Sequence, residues 1–546
     1  MKLENKYLVL LILVCIAVFF VNLDAIYINI MEARNFITAR EMLQDNNWIF
    51  TTMNAEPRYE KPPLPTWLTA ISMSIFGMEG LFGLRLPSAI MGLVLVVFIY
   101  KFLLKISKNI QLSFLAGLIA ATSFYIVYSS RDGQWDIHTH SFMMLAIFFL
   151  YKLYNTTKNW YLLATISGLF IACSILSKGP VSIYALFLPF LIAYGVIYKF
   201  KGTKERWKAL VLLTATALIF GGWWNLYVYM FDTHAVSEIT SQETGRWLNY
   251  NVRPFYYYWS FVIQSGLWTI PAFVALLYPY LKDKVSNKKA YKFTLLWTLA
   301  SVFLLSVIPE KKSRYLLPVL IPMAMNTAFY IEYLFYNWRS IKNKEATVIY
   351  VHFGIFALVG CIFPIAAYFY FESFMQNILY WYILSSIFLF SIGFLMFRYL
   401  LLKKIKPVFY LSIFFLISVV WFGLPMADKI NINPAYNSAS TIDSHLKKYN
   451  AKVYEFNTFA PEIIWDYGKP ITVLTQEGEV KIPEGNKFLV LTEARLSDSL
   501  QQVFKLYKTT KIDSVDMNPV GTKHKRRLYR ELYLIEKQNI DLLPSQ

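Results

Sequence analysis

Two stretches near the start of the chain hold the residue types of anion chemistry. "MEARNFITAREMLQD" runs from Met31 and "RYEKPPLPTW" from Arg58. Together they place Glu32, Arg34, Arg40, Glu41, Arg58, Glu60 and Lys61 just after an apolar run. Basic side chains beside a stiff turn suit a phosphate, because charge-assisted hydrogen bonds are the strong ones. Pro62, Pro63 and Pro65 are expected to exclude regular helix and to hold Glu60 and Lys61 in one direction. Further on, "PEKKSRYLLP" adds Lys311, Lys312, Arg314 and Tyr315, and "ITSQETGRWL" adds Glu243 and Arg246. "SRDGQWDIHTHSF" offers Asp132 and Asp136. A carboxylate there can take the proton of a hydroxyl acceptor, or simply cap a helix.

The elements that must position these residues are set by composition. The chain has 546 residues, 56% hydrophobic and only 16% charged, against about 25% charged in soluble domains. Many apolar stretches reach the roughly 20 residues that cross a bilayer. About thirteen such runs are expected, from 7–23 to 407–425, with 111–128, 137–153 and 257–281 among them. The fold class is therefore a polytopic α-helical membrane protein. The net charge of +19 comes mostly from Lys and Arg in short clusters between the runs. That is the positive-inside pattern rather than a nucleic-acid surface. It places the amino terminus inside and leaves two basic regions, 24–83 and "PEKKSRYLLP", on the outer face against the trend. The domain division expected is a membrane domain over 1–426, with 24–83 as an outer loop carrying interfacial helices, and a small soluble α/β domain over 427–546. That last stretch has short alternating runs such as "AKVYEF" and "KFLVLTEA". Cys15, Cys173 and Cys361 all sit in apolar runs and are expected to be buried small hydrophobes.

Here the motifs become specific. "EARNFITAREM" with "RYEKPPLPTW", then "RLPSA" at Arg85–Ala89, "SKGP" at Ser177–Pro180, "ETGRWL" and "KKSRYLLP" resemble the aminoarabinose transferase-like and protein O-mannosyltransferase-like membrane glycosyltransferases, the GT-C group. The resemblance implies a glycosyltransferase that moves a sugar from a polyprenyl phosphate, undecaprenyl in a bacterium, to a lipid A, glycan or protein acceptor outside the inner membrane. It implies that Lys61, Arg246 and Tyr315 meet the lipid phosphate, with Arg34 beside them, and that Asp136 and Glu32 are the candidate catalytic carboxylates. The family's acidic residue before that Glu is Met31 here, a departure. No cofactor is implied with force. A divalent metal would draw on Glu60 and a histidine, but the expected histidine position is Ser241, and His138, His140 and His234 do not form a ligand motif. Two rival readings remain: a flippase or transporter of a lipid-linked sugar, and an inactive membrane scaffold.

Overall fold

The structure is a computed structural model that describes residues 3–430, 433–476, 478–519 and 524–537, apart from the side chains of 246–248 and 428. It resolves into two compact units. The first comprises 1–25, 48–50 and 58–426, and the second 26–47, 51–57 and 427–546.

The first unit is helical and belongs in a membrane. Among the described residues, seven helices are long and apolar enough to cross a bilayer, or eight if the bent pair Ile110–Ala121 and Phe124–Ser130 forms one span. That pair bends by 64° at Thr122–Ser123. The apolar run at 257–281 is not one continuous helix. It is a 3-10 stretch, Phe255–Trp268, followed by short helices Thr269–Ala275 and Tyr278–Leu281. Gly266 adopts φ 60° there, and a Cβ at that position would lie 2.6 Å from the Cβ of Phe124. Helix Leu3–Phe19 ends on buried arginines. Arg131 donates to the carbonyls of Val18, Val21 and Asn22, and Arg85 to that of Leu23. Arg85 of the "RLPSA" motif thus holds the turn that follows the helix.

The second unit is built on a mixed sheet. Its strands are β1 (Thr52–Met53), β2 (Glu56–Pro57), β3 (Val453–Glu455), β4 (Thr472–Val473), β5 (Thr475–Gln476), β6 (Glu479–Val480), β7 (Lys487–Thr492), β8 (Tyr507–Asp516) and β9 (Tyr529–Lys537). The main sheet has the order β4-β3-β7-β9-β8. β4, β3 and β7 run parallel, and β9 and β8 close it antiparallel. β7 buries both faces: Leu489 and Leu491 join one core, Phe488 and Val490 the other.

Helix Ile30–Gln44 belongs to this second unit. Ile37 enters the core beside Ile463 and Leu489, and Phe36 packs 5.5 Å from Trp465. Its apolar face is thus satisfied by protein.

Candidate functional site

The loop 58–63 leads directly into helix Leu64–Phe76. The prolines do less than expected. Pro62 and Pro63 keep the chain out of helix, but Pro65 sits in the helix's first turn, where a missing N–H costs nothing. Tyr59 and Trp67 are hydrogen-bonded within the first unit. Tyr59 donates to Asp232 at 2.7 Å, and Trp67 donates its indole N–H to the carbonyl of Trp48 at 2.6 Å. The Arg58 guanidinium lies 5.0 Å from the ring centroid of Trp135, the residue that precedes Asp136.

Asp136 opens helix Asp136–Tyr154 and Lys178 closes helix Trp160–Lys178. The two form a buried ion pair. The Lys178 ammonium also lies 5.3 Å from the ring centroid of Tyr315. Lys312 and Arg314 approach the same ring at 5.7 and 5.9 Å. Tyr315 donates to Glu310 at 3.2 Å, and Lys312 pairs with Glu310 at 2.5 Å. Burial, with Glu310 nearby, pushes the Tyr315 phenol up, so it stays a donor. Arg314 is within Coulombic reach of both Asp136 and Lys178.

Lys61 joins this group, within Coulombic reach of Lys178, and pairs with Glu243 at 3.9 Å. Burial, reinforced by Lys178, brings its ammonium down to about 8 against the opposing pull of Glu243 and Glu60. Three cations, Lys178, Lys312 and Arg314, therefore lie around the Tyr315 ring, and Lys61 lies near Lys178. Asp136 pairs with Lys178, Glu310 with Lys312 and Glu243 with Lys61.

Of the residues expected from sequence, Lys61, Asp136 and Tyr315 come together. Arg246 lies in helix Thr233–Asn249, but its side chain is outside the described residues. Glu32 and Arg34 belong to the second unit. The Glu32 carboxylate accepts from the backbone N–H and side-chain amide of Asn29 at 3.3 and 3.0 Å. It is the N3 member of a capping box. Glu60 lies 3.9 Å from Arg58. Among the described residues, no three His, Cys, Asp or Glu side chains are placed to share an ion. His140 meets Ser182 at 2.9 Å, and Ser241 lines an open groove of about 640 Å³ with Tyr229, Val236 and Thr240. Sequence reasoning gave no role to Lys178, and it counted Arg314 only among the basic residues of "PEKKSRYLLP". The signal was present: a lysine ends an apolar run in an outer turn, where basic residues should be scarce.

Residues 60–224 match the family model of dolichyl-phosphate-mannose-protein mannosyltransferase. The chain is 26% identical over 347 residues to an undecaprenyl phosphate-α-4-amino-4-deoxy-L-arabinose arabinosyl transferase of Proteus mirabilis, covering 61% of each chain. It is 22% identical over 538 residues to one of Pseudomonas fluorescens, covering 90% of this chain and 86% of that one. An uncharacterized protein of Aquifex aeolicus is 26% identical over 358 residues, 64% of this chain and 67% of that one. The alignment to the Pseudomonas savastanoi relative spans 55% of that protein. The crystal structure of ArnT from Cupriavidus metallidurans bound to undecaprenyl phosphate superposes with TM-score 0.70 at 16% identity, over 97% of this chain and 98% of that one. The fold is thus that of ArnT, and the resemblance to aminoarabinose transferase-like membrane glycosyltransferases holds in sequence and in fold.

Proposed function

We propose that the chain is a glycosyltransferase that moves a sugar from a polyprenyl phosphate to an acceptor at the outer face of a bacterial inner membrane. The observation that carries the reading is the cluster of Lys178, Lys312 and Arg314 around Tyr315, with Asp136 paired to Lys178 and Lys61 near Lys178. Breaking a sugar–phosphate bond leaves negative charge on the departing phosphate. Cations and a phenol held in place before reaction stabilise that charge without reorganising. An incoming phosphate competes with Glu243 for Lys61 and adds to a site already rich in cations.

In this reading Lys61, Tyr315, Arg246 and Arg34 bind the carrier phosphate, and Lys178 and Arg314 extend the set. Asp136 is the first catalytic carboxylate. It orients Lys178 and takes the proton of a hydroxyl acceptor. Glu32 ranks second, because its carboxylate is engaged in a helix cap. The names of the relatives support undecaprenyl phosphate as carrier and an aminopentose as the sugar to try first. Lipid A, a glycan or a protein is the acceptor. The same reading takes thirteen spans, an inside amino terminus and a periplasmic α/β domain over 427–546. Asp136 opens its helix and Lys178 closes its own. That placement favours transfer at the membrane surface over a flippase, which would gather charge near the midplane.

The test is reconstitution in nanodiscs with an undecaprenyl-phosphate-linked aminopentose and fractionated envelope lipids, glycans and proteins. Mass spectrometry should find free undecaprenyl phosphate and one acceptor class heavier by the sugar. Movement of intact carrier across the bilayer without cleavage would replace the reading with a flippase. Neither event, in a folded protein, would leave a scaffold.

A further inference from the structure

In sequence Lys311, Lys312 and Arg314 stand as equivalent cations of one motif. The structure separates them. Lys312 and Arg314 reach the Tyr315 ring, whereas Lys311 is 3% exposed and gives its ammonium to two backbone carbonyls. One is that of Arg253 at 3.0 Å. The other is that of Ile308, the residue that caps helix Lys288–Val307. Carbonyls at a helix end lack intrahelical donors, and a lysine supplies one. An ammonium spent in this way ties two segments of backbone together, and an anion would have to strip it from both. The two segments also run side by side. Val252 and Glu310 form an antiparallel bridge, the N–H of Arg253 donates to the carbonyl of Pro309 at 3.1 Å, and that of Lys311 to the carbonyl of Asn251 at 3.2 Å.

The same backbone is gripped again one residue later. Tyr256 and Trp259 are exposed, as aromatics at a membrane surface are, but Tyr258 between them is 1% exposed. Its hydroxyl accepts from the N–H of Lys312 at 3.0 Å and donates to the carbonyl of Lys312 at 3.1 Å. A hydroxyl has the one proton and the lone pairs to do both. That carbonyl also accepts from the N–H of Tyr315 at 3.0 Å, which starts the 3-10 turn Ser313–Leu316. Fixing Lys312 therefore fixes the turn that bears Arg314 and Tyr315. The clamping segment has a second connection to the site. Residues 251–253 follow helix Thr233–Asn249, which carries Glu243, the partner of Lys61.

We propose that Tyr258 and Lys311 are positioning residues for the Lys312–Tyr315 turn, clamping its backbone so that the Lys312 ammonium and the Tyr315 phenol are in place before the carrier phosphate arrives. This rests on the carrier-phosphate reading above. Groups held in place beforehand need no reorganisation when charge appears beside them. The clamp removes Lys311 from the anion-binding set and gives the aromatic stretch Phe255–Trp268 a part in substrate binding.

The test compares Tyr258→Phe and Lys311→Arg with Tyr291→Phe in the full-length protein. Tyr258→Phe removes both bonds to Lys312 and changes no charge. Lys311→Arg keeps the charge but replaces a compact ammonium by a planar fork. Tyr291 is a buried phenol that donates to the carbonyl of Ala275 at 2.8 Å, near the opposite end of helix Lys288–Val307 from Ile308. Its substitution costs a comparable buried hydrogen bond away from the turn. Three measurements are made on each: thermal unfolding, amide hydrogen exchange of residues 312–315, and affinity for undecaprenyl phosphate in nanodiscs. Tyr258→Phe and Lys311→Arg should speed exchange at 312–315 and weaken undecaprenyl phosphate about tenfold, the scale of the hydrogen bonds lost. Tyr291→Phe should lower the unfolding temperature and change neither exchange nor affinity. Unchanged affinity in Tyr258→Phe overturns the proposal, as does an equal loss in Tyr291→Phe. Full affinity in Lys311→Arg returns Lys311 to the anion-binding set and overturns its part in the clamp. If the unaltered protein binds no undecaprenyl phosphate while Tyr258→Phe still speeds exchange, the carrier reading fails and the clamp stands.

Discussion

Lys61 has two competing demands on its proton. Burial and Lys178 bring it down to about 8, whereas a phosphate needs it charged. Below that value the free site is protonated and ready. As pH rises through it, the proton must be supplied on binding, so carrier affinity should fall by about tenfold per unit above pH 8. Lys61→Arg keeps its charge and should lose this dependence, while Lys61→Ala should bind weakly at every pH. Titration calorimetry from about pH 6.5 to 9.5 reads both; a flat profile for the unaltered protein would remove Lys61 from the phosphate site. Asp136 and Lys178 give a second prediction. Both side chains are 9% exposed, and removing one partner of a buried pair costs about 3–5 kcal/mol because the other charge is left uncompensated. Asp136→Asn alone should lower thermal stability and transfer together. The double substitution Asp136→Asn with Lys178→Met should recover stability, yet transfer should stay lost. Recovery of transfer in the double variant would make the pair purely structural.

The elements explain why some of this was legible in the sequence and some was not. Lys61, Asp136 and Tyr315 stand in compact motifs whose residue types announce anion chemistry, and the structure gathers them. Lys178 was missed because its motif, "SKGP", entered only as part of a resemblance; its partner, Asp136, lies 42 residues earlier. Glu32 carried its structural role in plain view, since Asn29 three positions before it completes a capping box. The membership of helix Ile30–Gln44 in the second unit was not legible, because contacts such as Phe36 with Trp465 join residues more than four hundred apart. Likewise, an apolar run such as 257–281 states burial and not helical continuity, which Gly266 interrupts. Within the second unit, Glu455 ends β3 and pairs with Arg530, both buried. Burial pushes its carboxyl up to about 7 against the pull of Arg530. The folded state therefore keeps a proton that the unfolded chain gives up near its ordinary value of 4.5. Stability from this group should fall as pH rises between those values. Glu455→Gln should flatten that slope in thermal unfolding of the second unit, and an unchanged slope would assign it elsewhere.

At the scale of the whole molecule, function depends on which side of the membrane each region faces. The basic loops at Lys199–Lys208 and Arg398–Lys406 follow the positive-inside pattern only if the amino terminus is inside. The proposed thirteen spans would put residues beyond Ala427 on the outer side, with the loop that bears Lys61. The tightly interleaved chain makes this more than a question of labels. Residues 26–47 and 51–57 fold with 427–546, while 58–61 fold with the helices. The prediction is made with single cysteines in a protein whose Cys15, Cys173 and Cys361 are replaced. Ser499→Cys, at an exposed position of the second unit, and Glu56→Cys, on the exposed hairpin, should both react with an impermeant maleimide in intact spheroplasts. Lys201→Cys, in an exposed turn between helices, should react only after lysis. Labelling of Glu56→Cys and Ser499→Cys from opposite sides contradicts a single folded second unit, and labelling of both only after lysis would turn the site inward and exclude an outer-face transferase.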